Sequence, residues 1–302
     1  MFRIVWVMLL FGMACATALG ASPDAGPAAS PAETPDQILV AALAQSIGAP
    51  ARANIADQAT VRLQDPLTFV PPLAAARLLG VLKVSVPPDF QGLLLGSEGM
   101  AMPGLIRYVP AGFIDSDTAL AWTADDFLSS LRDTVARDNP ARVKQGLEER
   151  EARRWVQTPH YNPEAHQLSW AALILPKSAP RESDGEVTVH AISFGRQGYI
   201  ELTVVTSLEK ATEIGQMADS FLDGLTFRPG KAYADSVSAD KRAFGGLAAA
   251  MGLDSLHKSR ADSSFLNSDI VIPVAGGIVA AIGAFSLFIY IQRHLRREAR
   301  RG

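Results

Sequence analysis

Cysteine is almost absent from this sequence: Cys15 is the only one among 302 residues. A single cysteine cannot form an internal disulfide, and a cysteine-based zinc site needs more than one. An excess of basic residues is lacking as well, because the formal net charge is −3. The chain therefore has no electrostatic footprint for nucleic acid, and we predict that it binds none.

Motifs for nucleophilic or phosphate chemistry are also missing. Ser97 lies in Gly-Ser-Glu-Gly, but Leu95 stands where a nucleophile elbow requires glycine. No Lys-Ser or Lys-Thr pair follows the glycines at 92, 96 and 99, as a phosphate-binding loop would need. The sequence thus predicts no cofactor and supplies no catalytic motif.

Long hydrophobic runs are confined to the two ends of the chain. Residues 1–20 combine an early cation with an apolar run and small residues, the pattern of a secretory signal peptide. Residues 270–291 carry no charge and are long enough to cross a hydrocarbon core of about 30 Å. The tail 292–302 is rich in arginine, which marks the cytoplasmic side of a span. We therefore predict a single-pass protein of the inner membrane, with its N-terminal part in the periplasm and its C-terminus in the cytoplasm.

The predicted span also has a pattern of small residues. Gly276, Ala280 and Ala284 recur at every fourth position, and such faces let membrane helices approach closely. Self-association through this face is therefore one prediction. Another, which the sequence leaves open, is that span and tail form a sorting signal that is cleaved and replaced by a different anchor.

The net charge of −3 is the sum of segments whose own charges differ in sign. Without Arg3, the five arginines of the tail and Glu298, the totals of 28 basic and 31 acidic residues become 22 and 30. The segment 22–269 thus carries a net charge of −8. We expect an acidic exported domain, which anionic lipid and nucleic acid weakly repel.

The exported part divides into one domain and two linkers. Residues 21–35 are rich in proline and alanine, and residues 253–269 are polar and rich in serine, so both are predicted to be spacers. Residues 36–252 alternate between helical and strand periodicity. This predicts an α+β domain, with a mixed or antiparallel sheet and packed helices, in addition to the C-terminal transmembrane helix. The predicted helices are 36–47, 73–82, 123–136 and one that follows Ser207, and the predicted strands are 59–63, 67–70, 105–114, 166–174, 186–194 and 199–206.

The strand 199–206 alternates between two kinds of face. One face is aliphatic, and the other carries Tyr199, Glu201 and Thr203. The sequence Gly-Arg-Gln-Gly at 195–198 predicts a hairpin turn that joins this strand to 186–194.

Charged residues are densest in 132–154. Thr123 and Asp126 resemble a capping box at the start of the helix that leads into this stretch. Its charges have both signs, which is typical of a solvated helix face and not of a polyanion site. We therefore predict that 132–154 is an exposed helix surface.

Three separate blocks of the sequence resemble one family. The blocks are 112–117 with 122–132, then 155–171, and finally 227–235 with 240–241 and 244–247. In this order they are similar to the DUF2167 family of prokaryotic membrane-anchored proteins. The activity of that family is unknown, so the resemblance implies an architecture and a membrane location and supplies no catalytic residues.

One pair of candidate functional residues flanks a predicted turn. His160 and His166 lie on either side of Tyr161-Asn162-Pro163, and a turn there would let both imidazoles and a nearby carboxylate bind one metal ion. On this hypothesis the protein is a periplasmic hydrolase or metal-dependent enzyme. The alternative role is structural, with His166 capping the turn and His160 in solvent.

Aromatic residues supply a second kind of candidate surface. They could line a groove for a glycan or a peptide, although large aromatics in strands more often belong to the core. Because no catalytic constellation is present, our main prediction is a binding or interaction module of the cell envelope, with an envelope protein as its partner. The candidate surface consists of His160, Tyr161, His166, Trp170, Lys231 and Tyr233.

Overall fold

The computed structural model describes residues 33–81, 84, 86–96, 103–115 and 123–243. The predicted signal peptide, the serine-rich linker, the span with its face of small residues and the basic tail all lie outside the described residues. Within the ranges that are described, no helix is both long and apolar enough to cross a membrane. The predictions for the two ends of the chain therefore stay predictions.

Four helices are interspersed among runs of strands along the described chain. The helices are α1 (Pro35–Ala44), α2 (Pro72–Val81), α3 (Ala124–Lys144) and α4 (Ala211–Gly224). The strands are β1 (Ile47–Gly48), β2 (Ala51–Ile55), β3 (Ala59–Leu63), β4 (Thr68–Val70), β5 (Phe90–Leu95), β6 (Gly104–Val109), β7 (Arg150–Asn162), β8 (Gln167–Pro176), β9 (Glu186–Gly195), β10 (Gly198–Ser207) and β11 (Leu225–Phe227).

Eight of the strands form one antiparallel sheet, in the order β1-β4-β5-β6-β10-β9-β8-β7. At its centre β10 pairs with β9 along its whole length and with β6 on its other side. A second antiparallel sheet has the order β11-β3-β2. These sheets and the helices around them confirm the prediction of an α+β domain.

The large sheet is covered on both faces. On one face, aliphatic residues of β10 such as Ile200 and Leu202 join Ile214 and Phe221 of α4 and the inner side of the small sheet in the main apolar core. On the other face, α1 and α2 pack against β4, β5 and β6, and α3 packs against β7 and β8. The mixed face of β10, which includes Glu201, is therefore buried as well.

The stretch 132–154 is only partly the helix that its charges predicted. Thr123 forms the predicted capping box with Asp126, and α3 runs from there to Lys144. Arg150 then begins β7, so the prediction of a helix surface is wrong from that residue onward.

Tertiary contacts explain the change from helix to strand. Asn139 of α3 donates from Nδ2 to the Arg150 carbonyl and accepts at Oδ1 from the Arg150 amide, both at 2.9 Å. Arg132 adds hydrogen bonds to the carbonyls of Ala152 and Arg153. β7 is an edge strand with an irregular register. Charged side chains and irregularities are typical of edges that avoid pairing with other chains.

Candidate functional site

Four segments meet at the end of the large sheet where two hairpin turns lie. They are the turn 163–166 between β7 and β8, the turn 196–197 between β9 and β10, and the segments 111–115 and 228–243. We call this region the hairpin end. The amide of Gly112 donates to the carbonyl of Gln197 at 3.1 Å, and the amide of Phe113 donates to the carbonyl of Lys241 at 2.8 Å. These backbone contacts bring together residues that are distant in the sequence.

Aromatic rings from three of these segments stack on one another. The ring centroids of His166 and Tyr233 are 3.9 Å apart, and those of Tyr233 and Phe113 are 4.6 Å apart. The Arg242 guanidinium lies over the Phe113 ring at 5.4 Å, within the range of a cation–π contact. The Tyr233 hydroxyl donates to the Ile114 carbonyl at 3.0 Å. This aromatic stack therefore holds the segment 228–243 against the sheet.

The local sequence directs His166 into the aromatic stack. Asn162 Oδ1 accepts from the amides of Glu164 and Ala165 at 3.0 and 3.1 Å, which folds the turn. His166 then adopts a left-handed φ of 51°, a conformation that is uncommon outside glycine. Its Nδ1 lies 3.4 Å from Tyr161 Oη. Burial lowers the pKa of His166, which favours the neutral ring at pH 7.

Four of the six predicted candidates lie at the hairpin end: Tyr161, His166, Lys231 and Tyr233. Lys231 Nζ donates to Gln197 Oε1 at 3.0 Å. Beside it, Arg196 donates from Nε and Nη2 to the two carboxylate oxygens of Asp240 at 2.8 and 2.9 Å. These hydrogen bonds lower the pKa of Asp240. The predicted turn thus brings most of the predicted residues into one charged and aromatic surface.

His160 lies apart from this group. It lines an open cavity of about 180 Å³ with Ser169 of β8 and with Asp219 and Asp223 of α4. Neighbouring residues of a strand point to opposite faces, so the strand that directs Tyr161 toward His166 directs His160 away. No three His, Cys, Asp or Glu side chains of the described ranges are arranged as a metal site. Among the described residues, His160 and His166 therefore do not share a metal site.

Burial raises the pKa of Asp219, and the charge of Asp223 raises it further, while His160 opposes the shift. The cavity at His160 is thus acidic on its helical side.

Trp170, the sixth candidate, lies in the core and not on a surface. It is 4% exposed, and it is directly opposite His190 in the register of β8 and β9. The two rings are stacked, with centroids 4.5 Å apart and planes 8° apart. The indole therefore forms one wall of a polar cluster that the sequence analysis did not identify.

Charged side chains form a continuous chain of contacts in this cluster. Arg107 donates from Nε to both carboxylate oxygens of Asp89 at 3.0 Å, and its Nη1 lies 3.5 Å from Glu201 Oε2. His190 donates from Nδ1 to Glu201 Oε1 at 2.9 Å, and Thr203 Oγ1 lies 3.4 Å from the same nitrogen. We call Asp89, Arg107, Glu201 and His190 the charge network.

The charge network is largely buried. The side chains of Arg107 and Glu201 are each 8% exposed, and that of His190 is 21% exposed. Burial by itself would raise the pKa of Glu201, but the hydrogen bond and charge of His190 and the charge of Arg107 lower it below its ordinary value. Burial would likewise lower the pKa of Arg107, but Asp89 and Glu201 raise it. Arg107 and Glu201 are therefore both ionised at pH 7.

This geometry leaves one defined atom of the His190 ring for a ligand. A carboxylate that accepts from Nδ1 of a histidine fixes the orientation and the tautomer of the ring. Glu201 does this for His190, and no described residue bonds Nε2. Nε2 is then the ring nitrogen available to a ligand or a proton. Buried ionic groups are costly to desolvate, so such networks are candidates for function.

The charge network was not predictable from the sequence, because its members come from four segments: the turn before β5 and the strands β6, β9 and β10. One signal was present, since alternation placed Glu201 and Thr203 on the same face of 199–206. A carboxylate in a strand belongs either to an exposed face or to a buried pair. Only the cross-strand register, in which Glu201 is opposite Arg107, decides between the two.

Comparisons with known proteins place this fold in a family. No curated protein matches the chain. The solution structure of cyanobacterial PsbP (CyanoP) from Synechocystis sp. PCC 6803 is similar at 13% sequence identity and a TM-score of 0.36, over 59% of this chain and 92% of that one. A family model described as a protein of unknown function, DUF2167, matches residues 48–259, which is more than half of the chain. This confirms the resemblance of the three sequence blocks, and the chain belongs to the DUF2167 family.

Proposed function

We propose that this protein is an exported, membrane-anchored binding module of the cell envelope that recognises an envelope protein through the hairpin end. In this proposal residues 36–252 lie in the periplasm, 270–291 span the inner membrane, and 292–302 lie in the cytoplasm. Self-association through Gly276, Ala280 and Ala284 would add a second contact within the membrane.

One observation carries the proposal: the three sequence blocks that resemble the family meet at the hairpin end. Phe113 comes from the first block, His166 from the second and Tyr233 from the third, and their rings are stacked. Residues that share one surface although they are distant in the sequence can act together on one partner.

The composition of the hairpin end suits protein recognition. Tyrosine and arginine are enriched among the residues that supply most of the binding energy in interfaces. Here Tyr233 lies in the aromatic stack, and the side chain of Arg242 is 61% exposed. Backbone hydrogen bonds and the ion pair between Arg196 and Asp240 hold the segment 228–243 in place. A preorganised surface loses less conformational entropy when a partner binds.

Site-specific photo-crosslinking in the native membrane tests the partner. A photoreactive residue in place of Lys241, which is exposed at the hairpin end, is expected to yield a defined protein adduct. Ser183 is also exposed but lies at the opposite end of the large sheet, so it is the matched control and should yield none. The substitution Arg242→Gln should abolish the adduct. Equal adducts from both positions, or an adduct that survives Arg242→Gln, would contradict recognition through this surface.

Cysteine labelling tests the membrane arrangement. The chain has one cysteine, and Cys15 lies in the predicted signal peptide, so introduced cysteines are specific reporters. Ser238→Cys is expected to react with a membrane-impermeant maleimide in spheroplasts, and Ala299→Cys only after permeabilisation. Reaction of both before permeabilisation, or of Ala299→Cys alone, would refute this topology. Recovery of an intact tail peptide by mass spectrometry would exclude the cleaved sorting signal.

A further inference from the structure

The small sheet carries two arginines that the proposed function does not use. Arg52 of β2 and Arg62 of β3 are directly opposite each other in the antiparallel register. Both are exposed, whereas the alternate residues Ala53 and Val61 pack into the main core. Like charges in directly opposite positions repel each other. The pair is therefore unfavourable for the sheet in the absence of an anion.

The described residues neutralise neither guanidinium. No residue of the described ranges forms an ion pair or a side-chain hydrogen bond with Arg52 or Arg62. Arg228 offers a contrast beside the same sheet, because it pairs with Asp57 at 2.8 Å and hydrogen-bonds Asn54 at 3.3 Å. The N–H groups of Arg52 and Arg62 are thus available to a ligand.

The two arginines line one open cavity of about 500 Å³. Its other lining residues are mainly apolar, with a single amide side chain: Pro50, Ala51, Leu63 and Gln64. The cavity is open to solvent, so a small ligand can reach both arginine side chains. The cavity therefore combines an apolar wall with two positive charges that no described residue compensates.

We propose that Arg52 and Arg62 bind a phosphate group in this cavity. A guanidinium presents a fork of N–H groups that matches two oxygens of a carboxylate or a phosphate. One fork satisfies a carboxylate. Two forks on the same face of the small sheet, from directly opposite residues, match an anion with more acceptor oxygens around its centre. Such an anion also removes the repulsion between β2 and β3. The charge of −8 on the exported segment does not prevent binding, because distant charges are screened beyond about 8 Å at physiological ionic strength.

A phosphate group can belong to a soluble ester or to a lipid headgroup, and two arms of one experiment separate these sources. The full-length chain is purified in phosphate-free alkyl maltoside micelles. One arm titrates inorganic phosphate and measures binding by calorimetry. The other adds phosphatidylglycerol to the micelles and measures amide hydrogen exchange of residues 50–64. Phosphate binding in the first arm indicates a soluble ligand, and protection in the second arm alone indicates a lipid headgroup.

Matched variants assign the binding to the two arginines. The double substitution Arg52→Gln and Arg62→Gln is expected to weaken binding at least roughly tenfold, the effect of losing a charge-assisted hydrogen-bonded partner. Arg137→Gln makes the same change in charge at an exposed position of α3 and should leave binding unchanged. Without ligand, Arg62→Gln should unfold at the same or a higher temperature than the wild type, because it removes a repulsion. An unfolding temperature that is not lowered would show that the variant is folded.

Two results would overturn the proposal: no binding in either arm, or equal binding by the wild type and the double variant. Neither result bears on the hairpin end, because the crosslinking at Lys241 does not involve the small sheet. The phosphate site and the proposed protein partner can therefore fail independently.

Discussion

Replacing Arg107 with methionine removes the arginine of the charge network and retains most of its apolar stem. The Arg107 side chain is 8% exposed and contacts two carboxylates, those of Asp89 and Glu201. Both carboxylates would then lie in a largely buried position without their cation. Breaking a buried ion pair by removing one partner costs about 3–5 kcal/mol. We expect Arg107→Met to lower the free energy of unfolding at pH 7 by that amount.

The substitution Glu201→Leu is the informative comparison. It removes one carboxylate, but Arg107 keeps its two-fold contact with Asp89. His190 loses its acceptor, but no buried carboxylate or guanidinium is left without a partner. The cost should be closer to that of a lost hydrogen bond to a charged group, about 1.5–3 kcal/mol. Arg107→Met should therefore cost more than Glu201→Leu, because only Arg107→Met leaves buried carboxylates without their cation.

The pH dependence has a definite sign. The pKa of Glu201 is lowered in the folded protein because His190 and Arg107 outweigh the effect of burial. Its stabilising contribution is therefore present above the ordinary carboxyl pKa of about 4.3 and is lost as the pH falls through the lower, folded value. Without Arg107 the effect of burial is opposed less, and the pKa of Glu201 moves up. The deficit of Arg107→Met should then shrink as the pH falls through the raised pKa of Glu201.

Urea unfolding of the full-length chain in neutral detergent, followed by tryptophan fluorescence, measures these differences. Trp170 stacks on His190 and so reports on the charge network itself. A cost of less than about 1 kcal/mol for Arg107→Met would show that its charge is effectively solvated. A cost for Glu201→Leu equal to or above that of Arg107→Met would refute the pairing scheme. A deficit that does not change with pH would refute the argument from Glu201.

Five further substitutions can be checked by the same unfolding assay. Gly198→Ala should cost more than about 2 kcal/mol, because φ of Gly198 is 153° and a Cβ there would lie 2.0 Å from a carbonyl oxygen of β6. Gly230→Ala should cost only about 1 kcal/mol, because φ of Gly230 is 77° but the space around it is open. Phe221→Ala should cost about 3–5 kcal/mol, because the ring is fully buried. Leu73→Ala, at a residue 82% exposed, should stay within about 0.5 kcal/mol of the wild type. Thr123→Ala should cost about 1 kcal/mol, because it removes the capping box of α3. Equal costs within the glycine pair or within the buried and exposed pair, or no cost at Thr123, would count against these contacts.

The central hairpin was predictable because its signals are local. Alternating residues and the turn at 195–198 predicted strands over 186–194 and 199–206, and β9 and β10 occupy Glu186–Gly195 and Gly198–Ser207. Strand periodicity and turn chemistry act over a few residues. The capping box of α3 was predictable for the same reason, since Thr123 and Asp126 are three residues apart.

β7 was not predictable in the same way. Its charges alternate in sign over a stretch that continues from a helix, so composition favoured more helix. The strand forms because Asn139 and Arg132 of α3 bind its backbone and β8 pairs with it. Those partners lie outside any short window of sequence. An edge strand with an irregular register also lacks the regular alternation that would identify it.

For the candidate residues as well, local sequence predicted some features, and only the tertiary structure decided the others. The spacing of His160 and His166 around a turn allowed a shared site, but alternation along β7 separates the two imidazoles. Tyr233 and Phe113 are far apart in the sequence, and only the folding of the segment 228–243 onto the sheet stacks their rings. Trp170 was identified as an aromatic residue of interest, and the structure shows that it packs on His190 in the core.

By itself the sequence determined the α+β character of the domain, its central hairpin, the start of α3 and the family to which the chain belongs. These follow from local periodicity, turn and cap chemistry, and ordered sequence blocks. Only the tertiary structure decided that Glu201 is paired in a buried network with Arg107 and His190, and that Arg52 and Arg62 are opposed without a counter-charge among the described residues. The physical reason is register. The pairing of strands decides which side chains lie opposite one another, and a shift by one residue would exchange the two faces of a strand.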